Sequence, residues 1–399
     1  MEKILNGLRV LDFGRYLAGP FSGVLLADMG ADVVKVEKIG GDYDRTLRPF
    51  TKDGKSMYVS TYGRNKRCIT VDFRNEEGKT LLKELARRAD VIINNFRPGV
   101  MEKIGIGYKD VYQVNPTVIY SAISGFGQSG KYSDRASFDG IATAMAGVMS
   151  CNWGLFGPQG LGTPIADITS GYVNTLSIMM ALLYRERTGK GQFIDTAMVD
   201  AVTPFIETLV PTYFLTGTYN ETQMRYGGDP TSAPANTFKA KDGYFYMHAG
   251  LTAHYNKMVN LVTLPEVKKD LQNPKYQDHN YRKEHAREIE EIVGKWIETL
   301  TVKEAEATVS GAGIPCSIVN TVKDVVESEF SKARENIIWI DMPNVGKVPY
   351  PGNPLKLSNM PPIEYRAAQE PGESNYEVYS EWLGLSKAEI ERLMREKII

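Results

Sequence analysis

The feature that most constrains this chain is the strand–helix–strand pattern with which it opens. "LRVLDFG" (Leu8 to Gly14) reads as a strand, and "GPFSGVLLADMGADVVKVEK" follows it. Pro20 suits a first helical turn, Gly30 suits a helix C-terminus, and Val33 to Val36 form a second strand. Two strands joined by a helix run parallel in one sheet, because only a long crossover can bring the chain back in the same direction. The pattern repeats with a strand at Cys68 to Phe73, a helix at Glu76 to Arg88, and the strands "DVIINNF" and "VIYSAISGFG". The expected fold is therefore α/β, with a doubly wound parallel sheet.

The pattern changes after "PIADITSG" (Pro164 to Gly171). "YVNTLSIMMALLYRER" is apolar around most of its circumference, so a buried helix is expected, stopped by Gly189 and Gly191. "QFIDTAMVDAV" reads as a strand leading into a helix. Residues Glu207 to Pro234 are irregular and suit a linker. A second region holds the strand "GYFYMHAG", helices around Ala253–Val262, Arg282–Thr299 and Val302–Ser310, and the strand "PCSIV". A Pro-rich tail runs from Ile337 to a final helix, "SKAEIERLMREKI". At 399 residues the chain has room for one large domain and a smaller one.

Charge and cysteine content exclude several classes of function. The formal net charge of -1 offers no surface for nucleic acid or a membrane. No apolar run approaches the roughly 20 residues of a membrane span. The N-terminal segment has no signal-peptide features, and the three cysteines, Cys68, Cys151 and Cys316, have neither disulfide-framework nor metal spacing. A cytoplasmic protein with free thiols is expected. The four histidines (His248, His254, His279 and His285) are not spaced as metal ligands, so no metal is expected.

Several motifs remain. "GRYLAGP" lacks the glycine spacing of a dinucleotide fingerprint, and "SGFGQSG" lacks the Gly-Lys-Ser/Thr ending of a phosphate loop. Arg15, Lys38, Arg74, Arg97, Lys103 and Arg135 all follow strand ends. In an open α/β sheet these positions converge on one crevice and suit a polyphosphate, although solvated surface charge is the ordinary use of such residues. Asp167 is a lone acid among small residues. It reads as the N-cap of the next helix, or as a nucleophile kept ionised there by the helix dipole; the two roles are compatible.

Seven stretches in order carry a resemblance: "LDFGRYLAGPFSGVLLADMGADVVKVEK", "NKRCITVDFRNEEGKTLLKELARRADVIINNFRPGV", "SGFGQSG", "ADITSG", "TGKGQFIDTAMVDA", "GIPCSIV" and "NYEVYSEWLGLSKAEI". Together they resemble the family III CoA-transferases, whose relatives include formyl-CoA transferase, carnitine CoA-transferase and the α-methylacyl-CoA racemases. The resemblance implies a large Rossmann-like domain from residues 1–205, a small α+β domain at 225–325, and a segment at 330–399 that returns to the large one. It also implies a ring-shaped chain interlocked with a second copy in a homodimer. Acyl-CoA and a carboxylic acid would be the substrates, with no permanently bound cofactor.

Asp167 matches the family's nucleophile, which forms an aspartyl anhydride and then an aspartyl-CoA thioester. Lys38, Arg74, Arg97 and Lys103 match positions around the nucleotide end of CoA, and Arg135 a position nearer its pantetheine. Arg15 joins them, and Tyr16, Leu17, Ala18, Val71, Asn95, Phe96 and Met198 match groove positions. Phe138, Asp139, Trp153 and Gly228 match the acyl and acceptor pocket. Tyr16-Leu17 replaces a Val-Gln pair of formyl-CoA transferases, and only Gly227-Gly228 remains of their glycine run. Racemases place a histidine where Phe138 stands, which leaves two-base racemisation without one of its bases. A racemase-type enzyme and a non-catalytic CoA-binding homologue remain the alternatives. Trp153, Leu155 and Phe156, with Phe138, suggest an acceptor acid with an apolar body rather than formate or oxalate.

Overall fold

The structure is a computed structural model that describes residues 2–154, 157–218 and 226–399. Leu155 and Phe156 thus lie outside the described residues. The elements begin with β1 (Arg9–Asp12), α1 (Ala18–Asp28), β2 (Asp32–Glu37), α2 (Met57–Tyr62), β3 (Arg67–Thr70), α3 (Glu76–Arg88) and β4 (Val91–Asn94). They continue with α4 (Val100–Ile104), α5 (Tyr108–Val114), β5 (Ile119–Ser124), α6 (Asp139–Met145) and the short ribbon β6–β7 (Trp153–Gly154, Gly157–Pro158). Then come α7 (Ile165–Thr188), β8 (Gln192–Ala197), α8 (Met198–Val202) and α9 (Leu209–Thr216).

The chain divides into two compact units. The first comprises residues 1–146, 162–204 and 329–399; the second comprises 147–161 and 205–328.

A six-stranded parallel sheet, ordered β3-β2-β1-β4-β5-β8, organises the first unit. Both faces are covered, which is why β4 ("VIIN") is buried throughout instead of alternating. Local signals explain α3 well. Asn75 accepts from the N–H groups of Glu77 and Gly78, acids fill the first turn, and Arg87 and Arg88 fill the last. Its face of Leu81, Leu82, Leu85 and Ala86 enters the core beside Tyr379 and Trp382 from the C-terminal segment. That segment adds a two-stranded ribbon, Ile337–Met342 with Gly346–Pro351, and helices Asn375–Leu383 and Lys387–Arg395.

The second unit has a three-stranded antiparallel sheet, Ala235–Lys239, Tyr244–His248 and Cys316–Ile318. In "YFYMH" Phe245 and Met247 point inward, packing with Tyr255 and Trp296.

Two sequence expectations require correction. The long helix α7 is not buried all round: Leu176, Met180 and Leu183 are exposed, and Ala166, Ser170, Gly171, Asn174 and Ile178 face inward. The inward stripe is small and partly polar, so average hydropathy misjudged which side is covered. The segment expected to be irregular contains a helix, α9, whose Phe214 and Leu215 are exposed. Among the described residues no helix is long and apolar enough to cross a membrane.

Candidate active site

The sheet order reverses between β1 and β4, because the chain winds from β1 to β2 and β3 on one side and from β4 to β5 and β8 on the other. Loops leaving the carboxyl ends of these two strands diverge and open a crevice. Asn95, just past β4, ties the loops together. Its side-chain oxygen accepts the Arg15 N–H at 2.7 Å, and its amide donates to the Arg15 carbonyl at 2.7 Å.

Tyr16 has φ 59°, a left-handed conformation that costs a bulky residue on the order of 1–3 kcal/mol. Buried Asp44 holds it there by accepting its N–H at 2.7 Å. The Tyr16 ring meets Phe138 edge-on at 5.8 Å.

Below this loop lie buried ion pairs: Lys66 with Asp12 at 2.6 Å, Lys35 with Asp42 at 3.7 Å and Arg45 with Glu37 at 2.7 Å. Lys35 also donates to the Gly14 carbonyl. Burial works against its charge, but Asp12, Asp42, Glu37 and Asp44 outweigh that and raise its pKa. These pairs brace the loop from beneath.

Asp167 is the third residue of α7, not its N-cap; Pro164 occupies the cap position and offers no side-chain acceptor. Asp139, from the start of α6, does the capping. Its Oδ2 accepts the N–H of Ala166 at 2.6 Å and of Asp167 at 3.2 Å. The small residues after Asp167 serve helix packing. The Ser170 hydroxyl donates to the Ala166 carbonyl at 2.6 Å. A Cβ on Gly171 would stand 2.7 Å from the Phe21 ring and 3.1 Å from the Ala18 carbonyl, so only glycine lets α7 lie this close to α1.

The expectation that the helix dipole keeps Asp167 ionised is also corrected. Burial, and then the charge of Asp139, push its carboxyl up to about 7. Tyr58 and Tyr62, one turn apart on α2, stand within the field of Asp167. Burial raises both phenols; Asp167 raises Tyr58 further, and Tyr58 and then Asp167 add to the rise of Tyr62, to about 12. The sequence reading missed this pair, although "MYVSTY" carries the i, i+4 spacing that puts them on one face.

A cleft of about 290 Å³ at the switch point brings Asp167 together with Arg15, Tyr16, Ala18, Asn95, Phe96, Arg97, Arg135, Phe138 and Met198. Arg15 is already committed, paired with Asp42 through two bonds of 3.1 Å and lying over Phe96. Arg97 and Arg135 are exposed on the rim, and Arg135 stacks against Phe126 and Tyr132. Ser124, at the end of β5, was also missed. It lines the cleft, and its buried hydroxyl has no partner among the described residues. The glycine loop after it is pinned by Asp195, whose two oxygens accept the Gln128 N–H at 3.1 and 2.9 Å.

Other expected site residues lie elsewhere. Leu17 and Val71 are buried in the core, Lys38 and Lys103 are exposed outside the cleft lining, and Arg74 is 93% exposed beside Asp72. Asp139 is turned to the helix terminus and does not line the cleft. Trp153 and Gly228 belong to the second unit.

Chemically, the cleft offers one carboxylate with cations along its rim. All four histidines belong to the second unit, and so do Cys151 and Cys316. Cys68 is inert where it stands, since burial, and then Glu37, push its thiol up to about 12.

The sequence pattern of CoA-transferase family III matches residues 5–375. The chain is 32% identical to the succinyl-CoA–D-citramalate CoA-transferase of Chloroflexus aurantiacus, over 99% of this chain and 98% of that one. It is 33% identical to the succinyl-CoA:glutarate CoA-transferase of Mus musculus, over 100% of this chain and 90% of that one. It is also 33% identical to the succinyl-CoA:mesaconate CoA-transferase of Haloarcula hispanica, over 90% and 91%. Its fold resembles the crystal structure of a CAIB/BAIF family protein from Brucella suis, with a TM-score of 0.83 and 31% identity over 96% of this chain and 100% of that one. The chain belongs to CoA-transferase family III.

Proposed function

We propose that this enzyme moves CoA from an acyl-CoA to a carboxylic acid by nucleophilic catalysis at Asp167. The Asp167 carboxylate attacks the thioester carbonyl. The C–S bond breaks, leaving a mixed anhydride and CoA thiolate. The thiolate then attacks the aspartyl carbonyl, expelling the donor acid as its carboxylate and leaving an aspartyl-CoA thioester. The acceptor carboxylate attacks that thioester and releases thiolate. The thiolate attacks the acceptor carbonyl, forming the new acyl-CoA and restoring Asp167. Every attacking group is an anion and every leaving group is an anion, so no step needs a general base. What supports this reading is the cleft itself, which joins a partly buried carboxylate to Arg97 and Arg135 in a unit without histidine.

Succinyl-CoA is the proposed donor and a small dicarboxylate the proposed acceptor, in line with the activities for which the similar enzymes are named. Phe138 and Tyr16 line the cleft with their rings and favour an acceptor whose body is apolar. The proposed order is therefore glutarate or mesaconate ahead of malate, and all of these ahead of formate or oxalate. The test is a panel of these acids with succinyl-CoA, following the product thioesters by mass. Highest kcat/KM with oxalate or formate would refute the proposed pocket.

Phe138 offers no proton acceptor, which favours transfer over racemisation. Exchange of the α-proton of a branched acyl-CoA as the main activity would reverse that assignment. A protein mass unchanged by acyl-CoA would favour a non-catalytic CoA-binding role. An interlocked homodimer is part of the proposal, to be checked by mass in solution.

A further inference from the structure

We propose that Asp139 is a positioning residue for the nucleophile: seated on the N–H groups of Ala166 and Asp167, it fixes the first turn of α7 and sets a negative charge against the reacting carboxylate. This inference rests on Asp167 being the nucleophile. The two bonds, 2.6 and 3.2 Å, reach the backbone of the nucleophile itself. Asp139 begins α6, and Phe138 immediately before it lines the cleft. The same short stretch therefore shapes the pocket and anchors the helix.

The physical consequence follows from what a helix N-terminus ordinarily does. Its free N–H groups carry partial positive charge and favour an ionised carboxylate nearby. Here two of those donors are taken by Asp139, so Asp167 loses their benefit and gains a like charge. Burial acts in the same direction. The outcome is a more basic carboxylate, which is a stronger nucleophile once ionised.

The other titratable groups on α1, α2 and α8 do not supply this effect. Tyr58 and Tyr62 on α2 are phenols held neutral by burial and by Asp167 itself. Asp28 on α1 is consumed by Arg64 at 2.9 Å, and Asp200 on α8 is exposed. Arg97 and Arg135 on the cleft rim are cations, whose charge could only oppose this effect, and Arg15 is paired with Asp42.

Asp139→Asn and Asp139→Ser test the proposal, because both keep an oxygen that can cap the helix and both remove the charge. For the intact enzyme, kcat/KM for acyl-CoA should rise tenfold per pH unit and level off near pH 7. In both variants the midpoint should move down by one pH unit or more, with the CoA dissociation constant changed less than threefold. An unmoved midpoint overturns the proposal. So does a raised KM for the acceptor acid with the midpoint unchanged, which would make Asp139 a substrate ligand. A second readout needs no turnover: the stability gained on Asp167→Asn, followed against pH with and without Asp139→Asn. Its midpoint should fall by the same interval, and an identical curve in both backgrounds overturns the proposal. If the unmodified enzyme transfers no CoA while this second readout shifts, the transferase reading fails, and what stands is the effect of Asp139 on the Asp167 carboxyl alone.

Discussion

Replacing Asp167 with Asn should stop turnover and, at neutral pH, make the protein more stable. Burial and the neighbouring Asp139 lift the carboxyl from 3.8 to about 7 in the folded state. In the unfolded chain it titrates near 3.9. Ionising it in the native site therefore costs about three pKa units, an upper bound of about 4 kcal/mol at 1.36 kcal/mol per unit. Asp167 is only partly buried, so solvent screening reduces this to roughly 2 kcal/mol.

The sign follows from linkage. Below pH 4 the group is protonated in both states and the penalty is absent. Between pH 4 and 7 the unfolded chain ionises first, and the native protein loses stability relative to the Asn variant. Above pH 7 the gap is constant. With an unfolding entropy of about 2.1 cal/mol/K per residue, 2 kcal/mol corresponds to roughly 2–3 °C in Tm for a chain of this length. Thermal or urea unfolding of both proteins from pH 4.5 to 8.5 makes the comparison. A gap that is the same at pH 5 and pH 8, or a variant less stable at pH 8, would refute the account of how this carboxylate is held.

Asp167→Ala should abolish CoA transfer while the CoA dissociation constant changes by less than about threefold, as read by calorimetry. After incubation with acyl-CoA, hydroxylamine should modify one peptide, the one containing Asp167; modification elsewhere would displace it as nucleophile. Ser124→Ala should raise KM for acyl-CoA about three- to tenfold with kcat unchanged, because its hydroxyl lines the cleft and has no partner among the described residues; a kcat loss at constant KM would place it at the reacting carbon instead. Gly171→Val should destabilise the protein by about 1–3 kcal/mol, since its branches would enter the contact between α7 and α1; unchanged urea unfolding would contradict the close approach.

The strand order of the first unit, with helices such as α1 and α3, was legible because it rests on local periodicity, whereas the short helices α2, α4, α5 and α6 were not read. Runs such as "VLDF", "DVVKVE" and "VIIN" are buried on both faces, and Asn75 caps α3 from the residue beside it. The parallel order also follows from local rules, since each crossover helix is too long for a hairpin. Asp167, Phe96, Arg97 and Met198 were legible as members of one motif set, and the sheet's switch point brings them to one cleft.

What the sequence left open depends on residues far apart along the chain. The cap on α7 comes from Asp139, 28 positions before Asp167. A reading confined to neighbours therefore made Asp167 cap its own helix and kept it charged. Arg15 looked free for a ligand until the fold set Asp42 against it. Lys38, Arg74 and Lys103 follow strand ends as Arg97 does, yet they stay outside the cleft lining, because strand-end position sets the edge of the sheet and not the direction of a long side chain. The sequence by itself determined the parallel sheet and which carboxylate stands at the head of α7. Only the tertiary structure decided that carboxylate's protonation, because burial and the charge of Asp139 are properties of packing, which no local pattern encodes.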